Sequence, residues 1–421
     1  MKAVINAGGK GTRIASLTNS VPKPMINIHG KPVLEHIINN LRNYGFQDII
    51  ITISHMADII VNYFGNGSKY GVKISYYYEK EQLGTAGALF KLKDKLTEDF
   101  LLLNSDVMFD VDFDRFIKFH KNKNGLATLF THPNSHPYDS SLIIADHCQS
   151  VIKWLAKEDH RPTYYKNRVN AGLHILSPSL LNKKIDSEKI DLDRQILKPL
   201  SSSDLLYAYD SPEYIKDMGT PDRFYSVEKD FNDGIIFKKN LKQKQKAIFL
   251  DRDGTINTHV GFLKNIDQFN LLPGVSDAIK KINSSEYLVI VVTNQPVIAR
   301  GEVTIDELDK IHNKMETLLG YSGAYIDGLY YCPHHPDKGF PNERAEYKID
   351  CNCRKPKPGM LLKAAEEYNI DLSNSWMIGD SKNDILCGKN AGCKTGYIGE
   401  EKGIDCNLKG KNLKEIIDKI L

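Results

Sequence analysis

Short apolar runs alternate with amphipathic ones along the first half of the chain, and the alternation restarts past the midpoint. Residues 2–6 form an apolar run of strand length that ends in a glycine-rich loop. Residues 33–44 carry apolar positions at the 3.6-residue period of a helix, which closes near Gly45. The pattern then predicts strands at 48–53 and 73–78, helices at 57–64 and 84–92, and a strand at 100–104 that delivers Ser105 and Asp106 at its end. Alternation of this kind folds as a parallel, doubly wound α/β sheet, and such sheets bind ligands outside the carboxyl ends of their strands. Residues 6–13 and Asp106 both fall at such ends. In the second half, strands are predicted at 247–250, 287–293 and 375–378, ending at Asp251, Asn294 and Gly379-Asp380. Three polar groups at three strand ends are what one active site in a second α/β domain requires.

A lysine-rich run from Lys238 to Lys246 separates the halves and reads as a solvated linker. The expected division is therefore 1–232, a linker at 233–246, and 247–421, with no internal repeat. At 421 residues the chain is long enough for about two to three domains with their own cores. A net charge of +3 gives no electrostatic case for nucleic acid. The chain opens straight into a strand without a signal-peptide pattern, and no apolar run approaches the ~20 residues of a membrane span. The expectation is a cytoplasmic protein with no membrane partner. Its seven cysteines are then thiols or metal ligands. Cys332, Cys351 and Cys353 cluster with histidines, and the scattered Cys148, Cys387, Cys393 and Cys406 read as structural.

Residues 6–13 read Asn-Ala-Gly-Gly-Lys-Gly-Thr-Arg, followed by Pro22-Lys23-Pro24. Gly8, Gly9 and Gly11 let the backbone pass close to a polyphosphate with amide N–H groups turned toward it. Thr12 adds a hydroxyl donor, Arg13 a permanent cation, and the two prolines stiffen the backbone that carries Lys23. With Leu83-Gly84-Thr85-Ala86-Gly87, Asn104-Ser105-Asp106, Asn170-Ala171-Gly172 and Asp217-Met218-Gly219-Thr220-Pro221, the first domain resembles the sugar-1-phosphate nucleotidylyltransferases. The resemblance implies attack by a sugar 1-phosphate on the α-phosphorus of a nucleoside triphosphate, with release of pyrophosphate. It also implies that Asp106 and Asp217 hold Mg²⁺ and that Arg13 and Lys23 neutralise charge developing on the phosphates. Gly84 and Thr85 would lie beside the base or ribose, and Asn170 and Gly172 beside the sugar. The family usually places a Glu-Lys pair before the Asn-Ala-Gly stretch; here the order is Lys157-Glu158, and either could touch the sugar.

Asp251 and Asp253 flank Arg252, and an i, i+2 spacing in a loop lets two carboxylates face one phosphate. One can attack phosphorus while the other protonates the leaving oxygen. Residues 246–421 resemble the haloacid dehalogenase-like phosphatases. That resemblance implies Asp251 as nucleophile and Asp253 as acid/base, with Thr293 and Asn294 binding the phosphoryl group and Lys355 balancing its charge. Asp380 would complete a Mg²⁺ site with Asp251 and the Asp253 carbonyl, supported by Asp384. Further along, Cys332-Pro333-His334-His335 and Cys351-Asn352-Cys353-Arg354-Lys355 offer three sulfurs and a histidine, a closed and therefore structural Zn²⁺ site. The C-x-H…C-x-C spacing matches a subgroup of these phosphatases acting on heptose bisphosphate or histidinol phosphate. On that resemblance His334, rather than His335, is the ligand, and the zinc places Arg354 and Lys355. The subgroup's small Ser-Gly pair is replaced here by Pro296-Val297, a stiffer and bulkier loop.

The two resemblances restrict each other. A phosphatase of this subgroup leaves a sugar 1-phosphate, which a nucleotidylyltransferase consumes. The expectation is two Rossmann-like domains forming a bifunctional enzyme of GDP-D-glycero-α-D-manno-heptose synthesis, with GTP and phosphorylated heptose as substrates and an oligomer allowed. The alternative is a transferase for another sugar, such as mannose 1-phosphate, fused to a phosphatase of histidinol-phosphate type.

Overall fold

Alternate residues of each strand face opposite ways, and each sheet therefore has two cores. In the first half Ala3 and Ile5 pack into one core and Val4 into the other; Ile49, Ile51 and Ile53 oppose Ile50 in the same manner. The computed structural model describes residues 1–9, 14, 21–185, 187 and 189–421. In it the chain forms two α/β units. The first is built on parallel strands in the order Phe100–Asn104, Ala3–Asn6, Asp48–Ile53, Lys73–Tyr78. Beyond Phe100–Asn104 the sheet turns mixed: Val169–Leu176 pairs antiparallel with Phe100–Asn104 and also with Ala127–His132. A separate ladder joins Val107–Asp110 to Tyr214–Asp217. The predicted helix at 84–92 begins later, at Gly87, because residues 83–86 are tied to Ile190 by Ala86 N–H to Ile190 O at 2.9 Å and Ile190 N–H to Leu83 O at 2.9 Å.

The second unit carries six parallel strands in the order Gly328–Cys332, Tyr287–Asn294, Lys246–Leu250, Trp376–Gly379, Lys394–Ile398, Leu408–Gly410. Ala247 and Phe249 face one core, Ile248 and Leu250 the other. Chain direction reverses its march across the sheet around Lys246–Leu250, and at such a switch point a crevice opens at the carboxyl ends of neighbouring strands.

Two expectations are corrected. Residues 233–246 are not an exposed linker. Ile235–Lys238 is a short helix; Ile235, Ile236, Lys239, Asn240 and Leu241 are buried, and Asn240 donates to Asp110 at 2.7 Å. The apolar positions before and within the lysine run win over its charge. The units also do not follow the halves of the chain, since residues 133–142 and 157–168 belong to the second unit, where Arg168 pairs with Glu316 at 3.2 Å.

Phe249 is wholly buried in the central strand of the second sheet. Phe249→Ala is expected to cost about 3–5 kcal/mol, read as a lower denaturant midpoint for the second unit. An unchanged midpoint would contradict its place in the core.

Candidate active sites

The first unit holds a cavity of about 420 Å³ at the carboxyl ends of its parallel strands, lined among others by Gly8, Gly9, Lys23, Gly84, Thr85 and Asp106. Gly11, Thr12 and Arg13 lie outside the described residues. Pro22 caps a 3₁₀ turn over Lys23–Met25 that contains Pro24 and is closed by Met25 N–H to Pro22 O at 2.8 Å. The turn aims the Lys23 ammonium at Asp106 Oδ2, 2.6 Å away. Gly84 has φ +77, and a Cβ there would meet Ile190 O at 2.5 Å, so the backbone of the Leu-Gly-Thr stretch can lie flat on its neighbour only as glycine. Thr85 is fixed by Asn6, which donates to its carbonyl at 3.1 Å, and its hydroxyl accepts from Leu192 N–H at 2.7 Å.

Asp217 stands opposite Val107 in its ladder, and Met218 N–H bonds Asp106 O at 2.9 Å. The fold thus brings the two aspartates' backbones together. The Asp217 carboxylate accepts from Arg223 through both oxygens at 2.9 Å and from Gly219 N–H at 2.9 Å. Asn170 Oδ1 accepts from Gly172 N–H at 3.2 Å and from His174 Nε2 at 3.0 Å. Burial pushes His174 down to about 3, so its ring is neutral. Asp193, beside Asn170, is pushed up to about 6 by burial and then by Asp191. A Cβ on Gly172 would meet Asn104 Nδ2 at 2.7 Å, which brings this stretch against the cavity wall. Lys157 and Glu158 fall in the segment that belongs to the second unit, where Lys157 pairs with Asp139.

In the second unit Asp251, Thr293, Asn294 and Asp380 come together at three adjacent strand ends around a cavity of about 190 Å³ that also includes Asp253, Arg354 and Lys355. Lys355 Nζ is buried 2.6 Å from Asp251 Oδ1, 2.6 Å from Asp384 Oδ1 and 2.9 Å from Val292 O. Burial alone would lower the Lys355 pKa, but the two carboxylates outweigh it and raise it. Burial pushes Asp251 up to about 7 against the pull of Lys355, with Asp384 adding repulsion. Asp384 is aimed by its own helix: its other oxygen accepts from Ser381 Oγ at 2.6 Å in a capping box at the start of Lys382–Asn390. Asn294 and Lys355 exchange bonds, Lys355 N–H to Asn294 Oδ1 at 3.0 Å and Asn294 Nδ2 to Lys355 O at 3.1 Å.

Asp251, Asp380 and Asp384 place carboxylate oxygens within 4.8 Å of one another. Lys355 is the ammonium among them, and a divalent cation fits the remaining negative charge. Gly254, at φ +83, makes room: a Cβ there would meet Asp380 Oδ2 at 1.9 Å. In the same unit Cys332, His334, Cys351 and Cys353 converge, with Cys353 Sγ 3.2 Å from both other sulfurs and 3.3 Å from His334 Nδ1. The three thiols are free of disulfides, and this soft donor set fits a tetrahedral Zn²⁺. His335 turns away toward Asp337 and Arg300. Arg354, next to Cys353, donates to His334 O at 3.2 Å.

Sequence reasoning passed over several groups. Arg252 is fully buried, donates to both oxygens of Asp253 at 3.0 and 2.8 Å, and rests on His312 at 3.1 Å. Burial and then the Arg252 charge hold His312 neutral. Gln295 bridges Asp253 and Thr293 at 3.0 and 2.8 Å. Burial alone would raise Asp253; Arg252, Asn257 and Gln295 together hold it below the usual carboxylate range. Only Arg252 carried a signal, its place between the two aspartates.

The Nucleotidyl transferase family profile matches residues 2–234, and a HAD-hydrolase-like profile matches residues 352–414. A D-glycero-beta-D-manno-heptose-1,7-bisphosphate 7-phosphatase from Pasteurella multocida is 46% identical over 150 residues, 36% of this chain and 79% of the relative. A probable mannose-1-phosphate guanylyltransferase from rice is 31% identical over 254 residues, 59% of this chain and 67% of the relative. Among solved structures, HddC from Yersinia pseudotuberculosis is 26% identical and covers 55% of this chain and 99% of its own, with a TM-score of 0.48.

A group whose pKa is raised by folding stabilises the fold at low pH and ceases to do so as pH rises through its folded value. For Asp251 that window runs from about 4 to about 7. In metal-free buffer, Asp251→Asn should therefore gain stability relative to the parent chain across this window, by at most about 1.4 kcal/mol per pH unit. Melting curves at several pH values read the difference, and a gap independent of pH would contradict the burial argument.

Proposed function

Because the chain belongs to the nucleotidyl transferase family over residues 2–234 and to the HAD-like phosphatases in its second half, it is a nucleotidyltransferase and a phosphoric monoester hydrolase in one polypeptide, and we propose that the two activities are consecutive steps toward a nucleotide-activated heptose. The phosphatase removes the 7-phosphate of D-glycero-D-manno-heptose 1,7-bisphosphate. The transferase then joins heptose 1-phosphate to GMP from GTP, giving GDP-heptose and pyrophosphate. One observation carries this reading: the second unit's relative is named for an enzyme whose product is a sugar 1-phosphate, and the first unit's for one that consumes such a compound. The rice relative's name also supports a second reading, mannose 1-phosphate as the acceptor.

At the phosphatase site Asp251 attacks phosphorus in line, the bond from phosphorus to the sugar oxygen breaks, and an aspartyl phosphate forms. Asp253 hands a proton to the leaving oxygen and takes one back from the water that hydrolyses the acyl phosphate. Arg252, Asn257 and Gln295 hold Asp253 as a carboxylate beforehand. The proton it donates therefore arrives with the substrate, a phosphate monoester whose second pKa is about 6. Thr293, Asn294 and Lys355 hold the phosphoryl oxygens. Asp251, Asp380 and the Asp253 carbonyl would hold Mg²⁺, which when bound would supply counter-charge to that group. Cys332, His334, Cys351 and Cys353 would hold Zn²⁺ and so fix the loop that carries Arg354. At the transferase site Lys23 and Arg13 would bind the triphosphate together with the glycine-rich stretch of Gly8, Gly9, Gly11 and Thr12, and Asp106 and Asp217 would hold Mg²⁺. Among the described residues no helix is long and apolar enough to cross a membrane.

Both anomers of the bisphosphate, offered with Mg²⁺ and each nucleoside triphosphate in turn, should give GDP-heptose with GTP alone, and the reactive anomer is read in the same mass spectra. Heptose 1-phosphate accumulating with every triphosphate would sink the guanylyl step. Asp251→Asn should slow phosphate release by ~10⁴-fold or more while leaving transfer to supplied heptose 1-phosphate intact; Lys23→Met should do the reverse. Elemental analysis should find zinc in the purified chain and lose it in Cys351→Ser; zinc retained in that variant would remove the tetrahedral assignment.

A further inference from the structure

Asp217, read above as a Mg²⁺ ligand, is already held by a cation of this chain. One guanidinium nitrogen of Arg223 donates to both of its carboxylate oxygens at 2.9 Å, and Gly219 N–H adds a bond at 2.9 Å. On the other side of the bond from Met218 N–H to Asp106 O, Asp106 carries Lys23 at 2.6 Å. Each carboxylate is thus matched by one internal cation, and the four side chains sum to zero charge. The oxygen donors suit a hard divalent cation, but Asp217 can serve one only by giving up Arg223. Asp217 is 37% exposed and Arg223 26%. An ion pair that open to solvent contributes little, so the exchange is not costly.

The helix that carries Arg223 does not explain its position. Arg223 is the third residue of Pro221–Asn232, and its N–H bonds the hydroxyl of the capping Thr220 at 3.4 Å. The first turn of a helix favours an anion and disfavours a cation. A guanidinium at this end therefore needs an anionic partner, and in the metal-free chain Asp217 is that partner. Gly219 sets the pair beside the cavity, because it bonds Asp217 and lines the wall with Lys23, Ser105 and Asp106.

We propose that Arg223 is a phosphate-binding residue of the transferase that exchanges partners, holding Asp217 before metal binds and a phosphate oxygen of the substrate afterwards. The proposal rests on the reading of Asp106 and Asp217 as the Mg²⁺ ligands. Charge makes the exchange concerted. Metal alone would leave a released guanidinium beside a divalent charge, and phosphate alone would find the guanidinium engaged. Arriving together, they restore the balance. A guanidinium suits the second role because its fork meets two phosphate oxygens at once.

The test removes the competing cation and reads metal binding apart from turnover. Mn²⁺ stands in for Mg²⁺, and free Mn²⁺ is counted by electron paramagnetic resonance on the full chain without nucleotide. An Asp380→Asn background weakens the phosphatase metal site. Arg223→Met should bind Mn²⁺ roughly tenfold tighter than that background, the worth of one charge-assisted bond. Loss of folded protein cannot produce tighter binding. Lys229→Met removes an exposed cation further along the same helix, roughly 9 Å away by helical rise. It should change the affinity by less than about twofold, since ~0.15 M salt screens that distance. In transfer to supplied heptose 1-phosphate, Arg223→Met should raise one Michaelis constant about tenfold. A rise for heptose 1-phosphate assigns Arg223 to the sugar's phosphate, and a rise for GTP assigns it to the triphosphate; either supports the exchange. Arg223→Lys, which keeps the charge, should restore much of both effects. Tighter Mn²⁺ binding with both Michaelis constants unmoved would overturn the proposal. Unchanged Mn²⁺ binding in Arg223→Met that is still lost in Asp217→Asn would overturn the exchange and leave the Mg²⁺ reading standing. Binding that survives Asp217→Asn would overturn both.

Discussion

The phosphatase site depends on one buried ammonium. Lys355 reaches the end of Lys246–Leu250 through Asp251, the end of Tyr287–Asn294 through the Val292 carbonyl, and the helix after Trp376–Gly379 through Asp384. Three strand ends are therefore spaced by the reach of one lysine. Buried carboxylates left without it would be uncompensated charges, a loss of several kcal/mol. The small residues around it follow from the same constraint: a Cβ on Gly379 would meet the Asp384 carboxyl carbon at 2.4 Å. The backbone must come this close because a charge cluster at low exposure leaves no room for solvent to separate it.

How far the sequence could be read depends on how local each signal is. The strands at 48–53 and 73–78 and the helix at 57–64 appear where their periodicity puts them. Lys23 meets Asp106, and Cys351 and Cys353 meet Cys332 and His334, because Asp106 and Cys332 lie at strand ends and Lys23 is held by a short turn at two prolines. What escaped was set by distant partners. Arg252 is decided by His312 on another element, and Gln295 matters because the strand before it aims it back at Asp253. The expected linker at 233–246 misled because charge per residue hid the buried Ile235, Ile236 and Leu241.

Both sites share an electrostatic design. In each, a lysine lies 2.6 Å from a carboxylate at a strand end, Lys23 on Asp106 and Lys355 on Asp251. Such a pair is nearly neutral seen from outside, so the lysine alone does not attract phosphate. Around the phosphatase cavity Asp251, Asp253, Asp380 and Asp384 face Arg354 and Lys355, with Arg252 beneath. Counted as ionised, four negative charges oppose three positive ones before any phosphate arrives. Protein charges alone therefore do not favour a phosphate dianion there. Either the carboxylates bind protons, as the raised pKa of Asp251 begins to do, or a divalent cation enters first. Only the cation leaves Asp251 free as a nucleophile. The acidic residues therefore leave the site with a net negative charge that a divalent cation would offset, and the buried lysine holds them in place.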